Sequence, residues 1–172
     1  MTMTDETHEH DAAALGPRPP YRAYAGIMGA FAGGLALAGA LARTLGRDPR
    51  DETALDLAVL SFAAFKAART VSRDDVTSFI RAPFVEGEAG MGEPEEPVET
   101  GDFHQAIGEL VTCSRCVGTW AAAGLATTQI LAPRFGRLLT WSLAAAGAND
   151  FLQAGFVALT SKSNELGRQA PG

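Results

Sequence analysis

Ala23-Tyr-Ala-Gly-Ile-Met-Gly-Ala-Phe-Ala-Gly-Gly-Leu-Ala-Leu-Ala-Gly-Ala-Leu-Ala42 runs for twenty residues without a charge. As a helix such a run is about 30 Å long, the thickness of a bilayer's hydrocarbon core. Gly29 and Gly33 form a GxxxG, and Gly34 with Ala38 extends the small-residue face along which helices approach closely. A competing reading is a secretory signal, because Ala40-Leu-Ala42 mimics a cleavage site. A long acidic leader and a twenty-residue core fit a signal poorly, so 23–42 is read as the first of several spans.

Three further apolar stretches follow. The second, 55–71, holds Asp56 at its start and Lys66 and Arg69 near its end, where long basic side chains can snorkel to an interface. The third, 117–132, ends before Pro133, and the fourth, 138–159, is interrupted only by Asn149, Asp150 and Gln153. Between the second and third, Asp74 and Asp75 are candidate N-caps for a short segment with Val76, Phe79 and Ile80 on one face and Arg81 beside them. Pro83 stops it, and a short amphipathic helix lying in the interface is the natural reading. The predicted fold is therefore all-α: a polytopic transmembrane bundle of about four spans plus that interfacial helix.

The polar parts fit the same scheme. Mean hydropathy is close to zero because charge is segregated. Asp5, Glu6, Glu9 and Asp11 lie in the first twenty residues against Arg18 alone, and eight acids with no Lys or Arg lie between Ala82 and Ser114. Residues 1–22 read as a disordered acidic, Pro-rich tail, 86–102 as a disordered acidic loop, and 161–172 as a polar tail. A net charge of −6 without a basic stripe argues against nucleic acid as a partner. Eight basic residues flank the spans on the side of the termini and central loop, against five on the other. That bias places the termini and the central loop in the cytoplasm.

Two blocks resemble the DUF1360 family of bacterial membrane proteins, which includes a sporulation-associated member. The first is Asp56-Leu-Ala-Val-Leu-Ser-Phe-Ala-Ala-Phe-Lys-Ala-Ala-Arg69 followed by Asp74-Asp-Val-Thr-Ser-Phe-Ile-Arg-Ala-Pro-Phe84; the second is Gly108-Glu-Leu-Val-Thr-Cys-Ser-Arg-Cys-Val-Gly-Thr-Trp120. The resemblance covers roughly 55–160, leaving the first span and the acidic tail as additions. It implies a multi-pass protein of the bacterial inner membrane and carries over no catalytic residue, since the family has no established activity.

Cys113 and Cys116, the chain's two cysteines, sit at the start of the third span, three apart and so on one helix face. Exposed amides at a helix N-terminus favour a thiolate. One reading is redox cycling against a quinone, with a partner supplying the second dithiol that this chain lacks. Zinc wants four ligands, and beyond the thiols His104 alone is near in sequence, so a metal site needs two chains or a partner. The structural alternative is two small thiols packed at a helix crossing beside Gly118.

Asp150 is an ionisable residue inside a predicted span, which asks for a partner. Lys66 lies roughly 16 Å and Asp150 roughly 18 Å along parallel spans, so Asp150 is expected to pair with Lys66 or Arg69, helped by Asn149. His8 and His10 read as part of a solvated tail. Trp120 and Trp141 read as interface anchors. No phosphate loop, Ser–His–Asp set or HExxH is present in the sequence. The functional expectation is a structural or adaptor role in the bilayer, toward a protein partner or a second copy, with the cysteine turn and acidic loop as docking surface. The alternative is a membrane thiol oxidoreductase.

Overall fold

A computed structural model describes residues 19–48, 53–87 and 95–169. Four long helices dominate it: α1 (Tyr21–Thr44), α2 (Ala54–Arg73), α5 (Ser114–Leu131) and α6 (Pro133–Gln169). The short α3 (Ser78–Arg81) lies between 3-10 turns at Asp75–Thr77 and Ala82–Phe84, and α4 (Phe103–Thr112) precedes the cysteines. Two-residue strands β1 (Val85–Glu86) and β2 (Glu96–Pro97) pair antiparallel, Val85 against Pro97.

Helix α2 is central and packs against both α5 and α6. It starts on a capping box: Thr53 Oγ1 accepts from the Asp56 N–H, and Asp56 accepts from the Thr53 N–H at 3.0 Å. Asp56 is therefore a helix-start device that the following apolar residues tolerate. The core is Ala63, Leu125 and Ala144, flanked by Val59, Leu60, Leu139 and Leu143. A Cβ on Gly147 would lie 2.9 Å from the Phe62 carbonyl oxygen, so α6 approaches α2 as closely as a glycine permits. Pro133 opens α6 at a position where its missing N–H costs nothing, and Gly136 folds the hairpin against the Thr128–Gln129 backbone.

Helix α1 leans on the others lightly, with Ala23 and Ala42 buried at its two ends. Phe31 meets Trp120 edge-on at 5.1 Å, and Gly26 lies under the Phe103 ring. Beside Gly29, Gly33, Gly34 and Gly39 nothing stands within 4 Å of where a Cβ would be. The small-residue face expected to seat a neighbouring helix meets none among the described residues.

Large apolar side chains point outward. Among the described residues seven of the nine buried apolar ones are alanines, whereas Leu37, Leu57, Phe156 and Leu159 are 62–73 % exposed. Four long helices stand where the sequence predicts four spans, but among the described residues α1 alone is long and apolar enough by itself to cross a membrane. Asp56, Lys66 and Arg69 dilute α2, Arg115 and Gln129 dilute α5, and Asn149, Asp150 and Gln153 dilute α6.

Three expectations about the polar segments change. The acidic loop 86–102 is ordered at both described ends, where the β1–β2 pair and the Asp102 cap of α4 fold it; residues 88–94 lie outside the described residues. The polar tail from 161 continues α6 through Gln169, helped by a 3.0 Å Lys162–Glu165 ion pair one turn apart. Asp74 caps with its backbone carbonyl, which accepts from the Thr77 N–H, and not with its side chain. His8 and His10 lie outside the described residues.

Candidate functional site: the cysteine elbow and its arginine clamp

The chain breaks between α4 and α5 at Cys113, which is extended (φ −91°, ψ 101°). Its Sγ accepts the Cys116 N–H at 3.3 Å, so the thiol caps α5 as a serine hydroxyl would. Hydrogen bonding from the Cys116 thiol, then the amides of the first turn and the charge of Arg115, hold the Cys113 thiol below the ordinary value for cysteine against the opposing effect of burial. Both cysteines are free, Cys113 half-buried and Cys116 exposed. The next residue, Ser114, shares a 2.6 Å hydrogen bond with Ser72, and Gly118 touches Ala68, which ties the elbow to the end of α2.

Below the elbow lies a residue that sequence reasoning placed beside an amphipathic face and went no further with. Arg81 is 1 % exposed. Its Nη1 donates to the carbonyls of Val71 (2.8 Å) and Asp74 (3.1 Å) and to Thr77 Oγ1, satisfying orphan acceptors at the C-terminus of α2. Its Nε and Nη2 form a two-pronged pair with Glu95 at 2.6 and 2.9 Å. Those bonds raise the guanidinium above its ordinary value despite burial. The available signal was the Arg81-Ala-Pro83-Phe84 string followed by an insert rich in Glu and free of Lys and Arg.

The clamp holds the insert against α4. The Val98 N–H donates to the Phe84 carbonyl, and a Cβ on Gly108 would meet that same oxygen at 2.6 Å. Asp102 caps α4 through the His104 N–H at 2.8 Å. One turn in, Gln105 Oε1 accepts the Gly101 N–H, Gln105 Nε2 donates to Glu109, and Glu109 accepts the Tyr24 hydroxyl of α1. The result is a polar platform at one end of the bundle carrying Glu86, Glu96, Asp102, Glu109 and the two thiols.

The remaining predicted residues fall as follows. Lys66 Nζ lies 2.9 Å from Asp150 Oδ2 and 4.0 Å from Asp74, so the structure brings Lys66 and Asp150 together toward the C-terminal end of α2. Arg69 instead lies over the Phe65 ring at 5.9 Å, and Asn149 is exposed. The His104 ring lies tilted against Phe84, centroids 5.0 Å apart, nine residues and about 13 Å of helix from Cys113. Among the described residues no group of three or more His, Cys, Asp or Glu converges, so zinc at the thiols lacks ligands within one chain.

Residues 59–156 match the family described as protein of unknown function DUF1360. UPF0713 protein YngL of Bacillus subtilis (strain 168) is 27% identical over 99 residues, covering 58% of this chain and 76% of that protein. Sporulation protein YjcA of the same organism is 33% identical over 105 residues, covering 58% of this chain and 88% of its own length. No solved structure matches.

Proposed function

The chain belongs to the DUF1360 family, whose function is unknown, and within it we propose a non-enzymatic adaptor embedded in the bacterial inner membrane by four helices. Its docking surface is the acidic insert and cysteine elbow at one end of the bundle. One observation carries the reading: small residues fill the interior while leucine and phenylalanine face outward on α1, α2 and α6. Soluble domains bury such side chains, and lipid-facing helices do not. Val76 and Phe79, 76 % and 71 % exposed beside the buried Arg81, suit an interfacial turn. Lys66 and Asp150 neutralise each other where a lone charge would be costly.

The platform suits docking because its polar groups are largely fixed before any partner arrives, which lowers the ordering cost of association. A basic segment of another membrane protein is the complementary partner for Glu86, Glu96 and Asp102. The sporulation in the name of one relative gives one setting for such an adaptor.

A second reading rests on Cys113, whose thiol is activated within a CxxC. In it Cys113 and Cys116 lose two protons and two electrons on forming a disulfide, a quinone becomes a quinol, and a partner dithiol restores the thiols by exchange. Membranes washed with carbonate and then extracted with detergent test both readings. The adaptor reading expects the chain in the pellet and a Cys113→Ala/Cys116→Ala variant that keeps its co-purifying partner. The redox reading expects a mixed disulfide trapped through Cys113 in Cys116→Ala. Recovery in the carbonate supernatant overturns both.

A further inference from the structure

We propose that the gap between α1 and α5 is a binding site for one anionic glycerophospholipid, with an acyl chain in the gap and the phosphate held by Arg43 and Arg47; this rests on the membrane reading above. The two helices touch at Phe31 and Trp120. Beyond that contact residues of both line a groove of about 580 Å³. That volume falls within the range of small-ligand sites, roughly 300–1,000 Å³. Leu35, Gly39, Ala126 and Ile130 are among the residues lining it, and no carboxylate does. Nothing lies within 4 Å of where a Cβ on Gly39 would be, so the groove is open beside it.

The mouth has the opposite chemistry. Helix α1 ends with the Gly46 N–H bonded to the Arg43 carbonyl and the Arg47 N–H bonded to the Ala42 carbonyl, Gly46 being left-handed at φ +64°. This helix stop turns the chain back so that Arg47 returns to the groove beside Arg43. Arg47 also lines one adjoining cleft with Arg137 and Asp48, and another with Arg134. Arg43 and Arg47 thus line the apolar groove, and Arg134 and Arg137 line the clefts that share Arg47 with it, with Asp48 in one cleft and the capping Asp56 near Arg137. Arginine binds phosphate through paired N–H donors, and basic pockets between membrane helices select anionic headgroups. An apolar groove lined at one end by Arg43 and Arg47 is complementary to a phospholipid with net negative charge; a zwitterionic one brings a cation to the same place.

The test uses the full chain in detergent, equilibrated with equal phosphatidylglycerol and phosphatidylcholine, with retained lipid counted by native mass spectrometry. The expected result is one retained lipid per chain with phosphatidylglycerol favoured about tenfold. Arg43→Gln/Arg47→Gln should bring the two lipids to parity, and Gly39→Leu should lower retention of both. Equal retention by the unaltered chain overturns the proposal without any variant, so a misfolded variant does not shield it. Complete displacement of the lipid by millimolar inorganic phosphate also overturns it, reducing the site to an anion site. A chain found in the carbonate supernatant sinks the membrane reading and this site together; a chain in the pellet without headgroup preference sinks the lipid site alone.

Discussion

Helices α1 and α2 have similar lengths, 24 and 20 residues, and opposite situations. Helix α1 is the more apolar, yet it packs on the rest of the chain far less than α2 does and carries glycines that face open space. Helix α2 contains four charged residues, yet it is the centre of the bundle, with Ala63, Ala64 and Ala68 buried and its last carbonyls closed by Arg81. The matched family residues, 59–156, take in most of α2 and leave α1 out. Apolarity therefore does not decide which helix is central. A helix is held where small side chains let backbones meet and where buried polar groups are satisfied, and α2 has both.

The largest effect is expected where α2 is closed. Arg81→Ala takes the guanidinium away from the Val71 carbonyl and from the Glu95 carboxylate, and removing one partner of a buried ion pair costs about 3–5 kcal/mol. The variant should lose most of its folded population in a thermal or denaturant melt. Arg81→Lys keeps the charge but loses the two-pronged geometry and should recover part of the loss. A melt of Arg81→Ala unchanged from the parent would remove the clamp as the reason α2 and the insert are fixed.

Glycine substitutions set the two helices directly against each other. Gly147→Ala forces a Cβ to 2.9 Å from the Phe62 carbonyl, so α2 and α6 must part, at about 1–3 kcal/mol. Gly39→Ala on α1 meets nothing and should raise helix stability by up to about 1 kcal/mol. Opposite signs in the same melt are the expected outcome. Equal destabilisation would mean that the face of α1 is occupied in the membrane by a neighbour such as a second copy.

The legible part of this molecule was its long helices. Charge-free or nearly charge-free runs placed the first three within three residues at each end and found the middle of the fourth, and depth along parallel helices was enough to bring Lys66 and Asp150 into consideration. Helix α6 escaped its predicted end because Thr160-Ser-Lys-Ser is polar without being a helix breaker. Arg81 escaped because, Thr77 one turn back aside, its partners are two backbone carbonyls and a glutamate fourteen residues on, which leave no periodic trace. The insert looked unfoldable by composition, and composition does not register a buried guanidinium that pins one end of it.

A smaller effect is expected at Lys66 and Asp150, whose side chains are 22 % and 39 % exposed. Lys66→Asp or Asp150→Lys alone places like charges at 2.9 Å and should lower the steady-state level by the equivalent of about 1 kcal/mol, more if the pair faces lipid. The double exchange should restore it. Failure to rescue, with both singles impaired, would assign the loss to Asp74, 4.0 Å from Lys66 Nζ.

The smallest effect touches reactivity and not stability. Cys113 is held below its ordinary value chiefly by hydrogen bonding from the Cys116 thiol. A lowered value means more thiolate at a given pH, so the alkylation rate of Cys113, followed by peptide mass, should reach half its plateau below about pH 8.5, where a free cysteine does. Cys116→Ala removes that donor and should move the midpoint of Cys113 upward. The amides that cap α5 and the charge of Arg115 remain in the variant, so the return to the free value should be incomplete. A midpoint that stays put assigns the activation to the helix terminus alone. The elbow would then be a capping device built with sulfur, and the redox reading would lose the one feature that sets this thiol apart.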